Sequence, residues 1–124
     1  MTFDAEAYKQ AITQEWDRAA KGWHHWIPTI NVWLEGATEI MLDQARIEKG
    51  SRVIDIAAGD GGQSVATAHR VGSDGEVLAT DIAPEFVRLA NTVASNLGLP
   101  QLRAQVMDAE SLNCLLYTSD AADD

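Results

Sequence analysis

Three aspartates and one cluster of glycines hold the residues best suited to chemistry. The run Arg52-Val53-Ile54-Asp55-Ile56-Ala57-Ala58-Gly59-Asp60-Gly61-Gly62 passes from strand-like apolar residues carrying an acid, Asp55, into three glycines within four positions. A strand that ends in a glycine turn and opens a helix lets backbone N–H groups approach a ligand with no Cβ in the way. A second apolar run ends in Asp81, 20 residues beyond Gly61. A carboxylate at that distance suits the vicinal hydroxyls of a ribose, since it accepts two hydrogen bonds at once. A third run leads into Asp108, where an acid can accept from the exocyclic amine of an adenine. Acids at the ends of three strands, on one edge and beside a glycine turn, describe a site for a nucleoside-containing cofactor.

The sign of the charge narrows the choice. Dinucleotide sites cradle a pyrophosphate with G-x-G-x-x-G. Here the frame reads Gly59-Asp60-Gly61-Gly62-Gln63-Ser64, with Ser at the last position and an acid between the first two glycines. Asp60 and Asp55 would both repel a pyrophosphate, whereas a ligand bearing a sulfonium and an ammonium finds them favourable. This points from NAD towards S-adenosyl-L-methionine. An NAD(P)-dependent oxidoreductase half-domain and a non-enzymatic cofactor-binding module are the alternatives. A structural account also competes, because Asp after a strand is a common helix N-cap and a buried Asp55 can serve nearby backbone N–H groups.

These residues resemble class I S-adenosylmethionine-dependent methyltransferases, most nearly the ubiquinone/menaquinone-biosynthesis type. Residues Val53 to Gly62 resemble that family's glycine-rich first motif. Val77-Leu78-Ala79-Thr80-Asp81-Ile82-Ala83-Pro84-Glu85 resembles the ribose-acid motif, and Val106-Met107-Asp108-Ala109-Glu110-Ser111-Leu112 the adenine-contact motif. The resemblance spans about residues 23–113. It implies that Asp55 serves the cofactor's amino-acid end and that Ala57, Gly59, Asp60 and Gly61 line the methionine moiety. It further implies that Asp81, with Ile82 after it, holds the ribose, and that Asp108 with Ala109 holds the adenine. Asp60 departs from the commoner Thr, Ser or Cys. The implied activity is methyl transfer to a small or lipid-like acceptor, in a family whose N-terminal segment often lids the cofactor. Trp16, Trp23, Trp26 and Trp33 read first as core or cover, with Trp23 or Trp26 near the cofactor as the alternative. No catalytic base is evident.

The elements that must position these groups read as two helices followed by an α/β alternation. Tyr8, Ile12, Trp16 and Ala19 form an apolar stripe predicting a helix over about 4–20, stopped at Gly22. Ile30, Trp33, Leu34, Ala37, Met41 and Ala45 predict a second over about 29–48, stopped at Gly50. Strands are expected at 53–56, 77–80 and 102–107. Helices are expected at 62–71 and from Pro84 to Gly98, the latter with Glu85 at its positive end. Strand, helix, strand, helix, strand implies parallel pairing with right-handed crossovers. The fold class expected is therefore α/β: N-terminal helices, then a truncated Rossmann-like parallel sheet holding strands 3-2-1 only. The expected organisation is a helical lid segment over 1–50, half of a cofactor-binding domain over 51–113, and a tail over 114–124. That tail reads as a non-native ending of the kind translated from a sequencing adapter.

Composition sets outer limits. The chain has 124 residues, 46% of them hydrophobic, which suits one modest domain. The formal charge is −10, and −7 without the tail's Asp120, Asp123 and Asp124. An acidic chain lacks the basic face that nucleic acid requires. No apolar run approaches a transmembrane segment, and Thr2-Phe3-Asp4-Ala5-Glu6 lacks a secretory signal's basic start. Cys114 is the one cysteine, so an internal disulfide is ruled out and a cytoplasmic location is the default. It has no nucleophile's partner constellation. His24 and His25 are adjacent and so do not share a helix face as metal ligands at i and i+4 would, and no metal is expected. The oligomeric state is not legible.

Overall fold

The computed structural model describes residues 2–112. The tail over 114–124, Cys114 included, lies outside the described residues. The elements in order are α1 (Ala5–Gln44), β1 (Arg52–Ile56), α2 (Gly62–Val71), β2 (Glu76–Asp81), α3 (Pro84–Asn96) and β3 (Leu102–Val106). The three strands form one parallel sheet in the order β1-β2-β3. This is the expected 3-2-1 half of a Rossmann-like α/β sheet.

The sheet half follows from its residue pattern. Val53, Val77, Ala79, Leu102 and Ala104 alternate onto one face and pack against Ala68 and Val71 of α2 and Val87, Ala90 and Ala94 of α3. Both crossover helices thus cover the same face, as two crossovers of one hand stepping in one direction require. Small residues let the helices approach: a Cβ on Gly75 would lie 2.4 Å from Cβ of Val71 and 2.7 Å from the Ser51 carbonyl oxygen. The helix ends match expectation. Gly98, at φ +64°, lets its own N–H and that of Leu99 reach back to the carbonyls of Ser95 and Ala94. The outer edge of β3 is blunted by Asn91, whose amide accepts from the Ala104 N–H at 2.9 Å and donates to its carbonyl at 3.1 Å.

The N-terminal segment differs from expectation. In place of two helices over 4–20 and 29–48 there is one helix of 40 residues, passing through Gly22 and Pro28. At about 1.5 Å per residue it is ~60 Å long. Asp4 caps its start by accepting from the Ala7 N–H at 3.0 Å. Its end comes at Gln44, ahead of Gly50, with Arg46 in the left-handed region at φ 56°. A proline inside a helix costs roughly 3 kcal/mol through the lost hydrogen bond and ring clash. Side chains on both sides of Pro28 are docked onto the sheet half, and that docking offsets the cost.

Those docking contacts are polar and follow the helix in order. Asp17 accepts from the Glu85 N–H at 2.7 Å, capping α3, whose own N-cap Ala83 has no side-chain acceptor. His24 Nδ1 lies 3.0 Å from Asp60 Oδ2. Gln63 donates to Thr38 Oγ1 at 3.3 Å, and Arg70 of α2 pairs with Glu39 and Asp43. The apolar share is small: Ala20 joins Ala83, Phe86 and Leu89 in a minor core, and Leu42 is buried further along.

Candidate cofactor site at the carboxyl edge

A cavity of about 580 Å³ opens between the carboxyl ends of the strands and the flank of α1. That volume lies within the usual range for ligand pockets, roughly 300–1,000 Å³. The sheet side supplies Ile56 to Asp60 from the first turn, Asp81 and Ile82 after β2, and Met107 to Glu110 after β3. The α1 side supplies Ile12, Trp16, Trp23, Ile27, Ile30 and Leu34. One wall is therefore rich in acids and backbone, and the other is apolar and aromatic. Trp16 stacks at a tilt between Trp23 and Phe86, with centroids 6.1 and 6.2 Å away.

The first turn is built for close approach. Ala57 sits at φ 59°, a left-handed conformation uncommon for a residue with a Cβ, and Gly59 and Gly61 follow at φ 61° and 88°. The Gly59 N–H donates to Asp81 Oδ2 at 2.9 Å, so the ribose acid of the resemblance also pins the glycine turn. Its other oxygen accepts from the Ala83 N–H at 3.0 Å. A carboxylate offers about four lone-pair sites, so Asp81 keeps acceptors for a ligand after both bonds. Gly62 has a different reason to lack a side chain. A Cβ there would come within 2.7 Å of Asn31 Oδ1, because α1 crosses the turn at that point.

The remaining acids are already engaged. Asp60 is 4% exposed and pairs with His24. Asp108 accepts from Lys9 Nζ at 2.7 Å, and Lys9 also reaches Glu110 at 3.0 Å. The Lys9 ammonium, joined by the Glu110 N–H, holds the Asp108 carboxyl below the usual carboxylate range. The same two carboxylates raise Lys9 above the ordinary lysine value.

Of the residues proposed from sequence, Ala57, Gly59, Asp60, Asp81, Ile82, Asp108 and Ala109 line the one cavity. Asp55 and Gly61 do not. Asp55 accepts from the Ser64 hydroxyl of α2 at 2.6 Å, on the sheet face that packs the helices. Burial pushes its carboxyl up, the Ser64 bond pulls it back in part, and the charge of Asp81 adds to the rise. Gly61 packs towards Ala90 of α3, 3.3 Å from where its Cβ would be. Trp23 reaches the cavity, while Trp26 lies outside it. Sequence reasoning missed Lys9, His24 and Asn31. Lys9 begins a stripe that continues through Ile12, Trp16, Trp23, Ile27, Ile30 and Leu34 at steps of three, four or seven, and that stripe was the available signal. Among the described residues, no group of three or more His, Cys, Asp or Glu is placed to hold a metal, and no helix is long and apolar enough to cross a membrane.

Comparison with known proteins agrees with this geometry. The model of a methyltransferase domain family matches residues 47–123. Aklanonic acid methyltransferase DauC of Streptomyces sp. (strain C5) is 32% identical over 108 residues, 85% of this chain and 46% of that protein. Ubiquinone/menaquinone biosynthesis C-methyltransferase UbiE of Neisseria meningitidis is 38% identical over 71 residues, 57% of this chain and 29% of that protein. The crystal structure of a SAM-dependent methyltransferase from Aquifex aeolicus superposes with a TM-score of 0.57 at 25% identity, covering 61% of this chain and 40% of that one. The chain spans less than half the length of these relatives. With its sheet order, its glycine turn and a family match over more than half of its residues, it belongs to the methyltransferase domain family.

Proposed function

We propose that this chain is the cofactor-binding part of an S-adenosyl-L-methionine-dependent methyltransferase acting on a small-molecule acceptor. The observation that carries the proposal is the single cavity joining the Gly59–Asp60 turn, Asp81 and Asp108 beneath an apolar α1 wall. The bound cofactor would supply an electrophilic methyl group on its sulfonium. Asp81, fixed by the Gly59 and Ala83 N–H groups, would accept from the ribose hydroxyls with its remaining lone pairs. Asp108 and Ala109 would face the adenine. Ala57, Gly59 and Asp60 would line the amino-acid end, where the Asp60 carboxylate suits an ammonium. Asp55 would act at one remove, by holding α2 and hence the glycine turn through Ser64. The apolar flank of α1 would exclude water, which strengthens every charged contact within.

An oxidoreductase reading has no comparable support, because the acid in the turn opposes a pyrophosphate. A cytoplasmic location and the absence of a nucleic-acid partner belong to the same proposal, the latter resting on the −10 charge. The division into a lid segment, a half-domain and a tail also belongs here. Supporting it, β1 forms one end of the described sheet, and open α/β sheets bind ligands where the strand order reverses beside the first strand.

Equilibrium titration tests the cofactor. S-adenosylhomocysteine should bind and NAD should not, and Asp81→Ala should weaken S-adenosylhomocysteine at least tenfold. Tight NAD binding with none of S-adenosylhomocysteine overturns the proposal. The chain alone should transfer no methyl group, since the three described strands supply only one wall of the site. Turnover by these 124 residues would refute that part.

A further inference from the structure

The cavity at the carboxyl edge is walled on its sheet side by acids: Asp60, Asp81, Asp108 and Glu110. Lys9 is the one cationic side chain among its described lining residues, and both Asp108 and Glu110 hold it, at 2.7 and 3.0 Å. Asp60 pairs with His24, Gln63 donates to Thr38, and Asp81 accepts from the Gly59 and Ala83 N–H groups. Asn31 differs. It lines the same cavity from α1 and is half-buried, yet its carboxamide makes no hydrogen bond among the described residues. Every other carboxylate, carboxamide or ammonium of the described lining has a partner. Its place is nonetheless well defined: Oδ1, Nδ2 and Cγ lie 2.7, 3.0 and 3.2 Å from where a Cβ on Gly62 would stand. The amide therefore lies flat against the glycine turn, and a half-turn about its last bond swaps the group it presents there, N–H or oxygen.

The proposed cofactor ends in an α-amino acid, so its tail carries an ammonium and a carboxylate together. The adenine amine, the ribose hydroxyls and the ammonium all donate, and Asp108, Asp81 and Asp60 are there to accept. The carboxylate alone needs donors, and an acid-lined wall repels it. Lys9 does not serve it. That ammonium is held by Asp108 and Glu110, and it lies 22 residues before Asn31, about 33 Å along α1. Asn31 stands towards the other end of the α1 wall, against the turn whose Gly59 and Asp60 line the amino-acid end. A neutral donor suits that corner, since a cationic side chain there would be drawn to Asp60 itself. We infer that Asn31 is a specificity-determining residue of this site, whose side-chain amide donates to the carboxylate of the cofactor's amino-acid tail. It separates adenosine thioethers that carry that carboxylate from those that lack it. This role rests on the S-adenosyl-L-methionine proposal and adds to it a donor that the acids of the sheet edge cannot supply.

The probes are S-adenosylhomocysteine and its decarboxylated analogue, which keeps the ammonium and loses only the carboxylate. Calorimetric titration of the whole chain should show S-adenosylhomocysteine binding about tenfold more tightly than the analogue. Asn31→Ala should weaken S-adenosylhomocysteine about tenfold, as loss of one hydrogen bond to a charged group does, and leave the analogue unchanged. Asn31→Asp keeps the shape and replaces the donor with an anion. It should weaken S-adenosylhomocysteine further than alanine does and reverse the preference, so that the analogue binds more tightly. The analogue thus reports that each variant still forms the site. Equal losses for both ligands in Asn31→Ala overturn the inference, because the side chain then only supports the turn. Unchanged S-adenosylhomocysteine affinity in Asn31→Ala overturns it as well. Equal affinity of the wild-type chain for the two ligands does so without any variant. Binding of neither ligand by the wild-type chain counts against the cofactor proposal and takes this role with it, whereas tight S-adenosylhomocysteine binding that ignores Asn31 counts against this role alone.

Discussion

The sheet half and the long helix are held in opposite ways. In the sheet half, Val71, Val77, Ala79, Ala90 and Leu102 sit in one continuous apolar core, and the polar groups near it are satisfied locally. On α1, only Ala20, Thr38 and Leu42 are buried among 40 residues. That helix is attached by a series of single polar contacts: Lys9 to Asp108, Asp17 to the Glu85 N–H, His24 to Asp60, Thr38 to Gln63. Apolar burial scales with area and is cooperative, whereas exposed ion pairs contribute little each and respond to salt. The sheet half should therefore behave as the stable scaffold and α1 as its separable cover. The cavity at the carboxyl edge lies along the seam between the two.

The largest expected effect tests the scaffold. Leu102→Ala should lower the unfolding free energy by about 2–5 kcal/mol in denaturant titration, as truncations in a packed core do. A loss under 1 kcal/mol would mean that the described core is not the stabilising one. Next is the seam at Gly62. Gly62→Ala places a methyl group against Asn31 and should cost about 1–3 kcal/mol as an overpacked contact. Asn31→Ala should restore most of that loss in a double-mutant cycle. An undiminished loss in the Asn31→Ala background would show that α1 does not cross the turn there.

Smaller still is the tertiary cap. Asp17→Ala leaves the α3 N-terminus without its acceptor and should cost about 1 kcal/mol. Asp17→Asn, which keeps a side-chain acceptor for the Glu85 N–H, should recover most of that cost. Two titrations then sharpen the contrast in sign. Asp55 has a raised carboxyl, so its ionisation opposes folding: its contribution is intact below the ordinary value of 3.8 and is lost as pH rises through the shifted one. Asp55→Asn should therefore gain stability relative to the wild type as pH climbs above 3.8, by equilibrium unfolding across that range. Asp108 runs the other way, since its lowered carboxyl contributes above the ordinary value and loses that contribution as pH falls through the lowered one. Lys9→Met should move the Asp108 carboxyl back towards 3.8 in a carbon-detected NMR titration. It should barely change overall stability, because the pair is solvent-accessible.

Much of this was legible in the chain. The second helix from Gly62 to Val71 agrees with expectation to the residue, and the strands differ by a residue or so at their ends. Glycine turns, a proline at the first helical position and period-two apolar runs are local signals, and the sheet half obeys them. Most of the residues that line the cavity could be picked out too, because strand ends and the loops after them share one edge of any parallel sheet. Gly61 and Asp55 were the exceptions. Gly61 packs towards Ala90 of α3. Alternation within β1 puts Asp55 on the face with Val53, towards Ser64, and away from the cavity that Ile56 and Ala57 line.

The N-terminal segment was misjudged for a related reason. Gly22 and Pro28 are locally strong helix breakers, yet the stripe from Lys9 to Leu34 keeps its phase across both. Sequence alone determined the parallel half-sheet, the glycine turn and the acids after β2 and β3, since each depends on neighbours within one or two elements. Tertiary structure alone decided that α1 is unbroken, that its Lys9 and His24 reach Asp108 and Asp60, and that its tryptophans divide between an inner cavity and an outer face. Those outcomes depend on contacts across 36 to 99 residues, where docking energy outweighs local propensity and no short-range pattern records the partner.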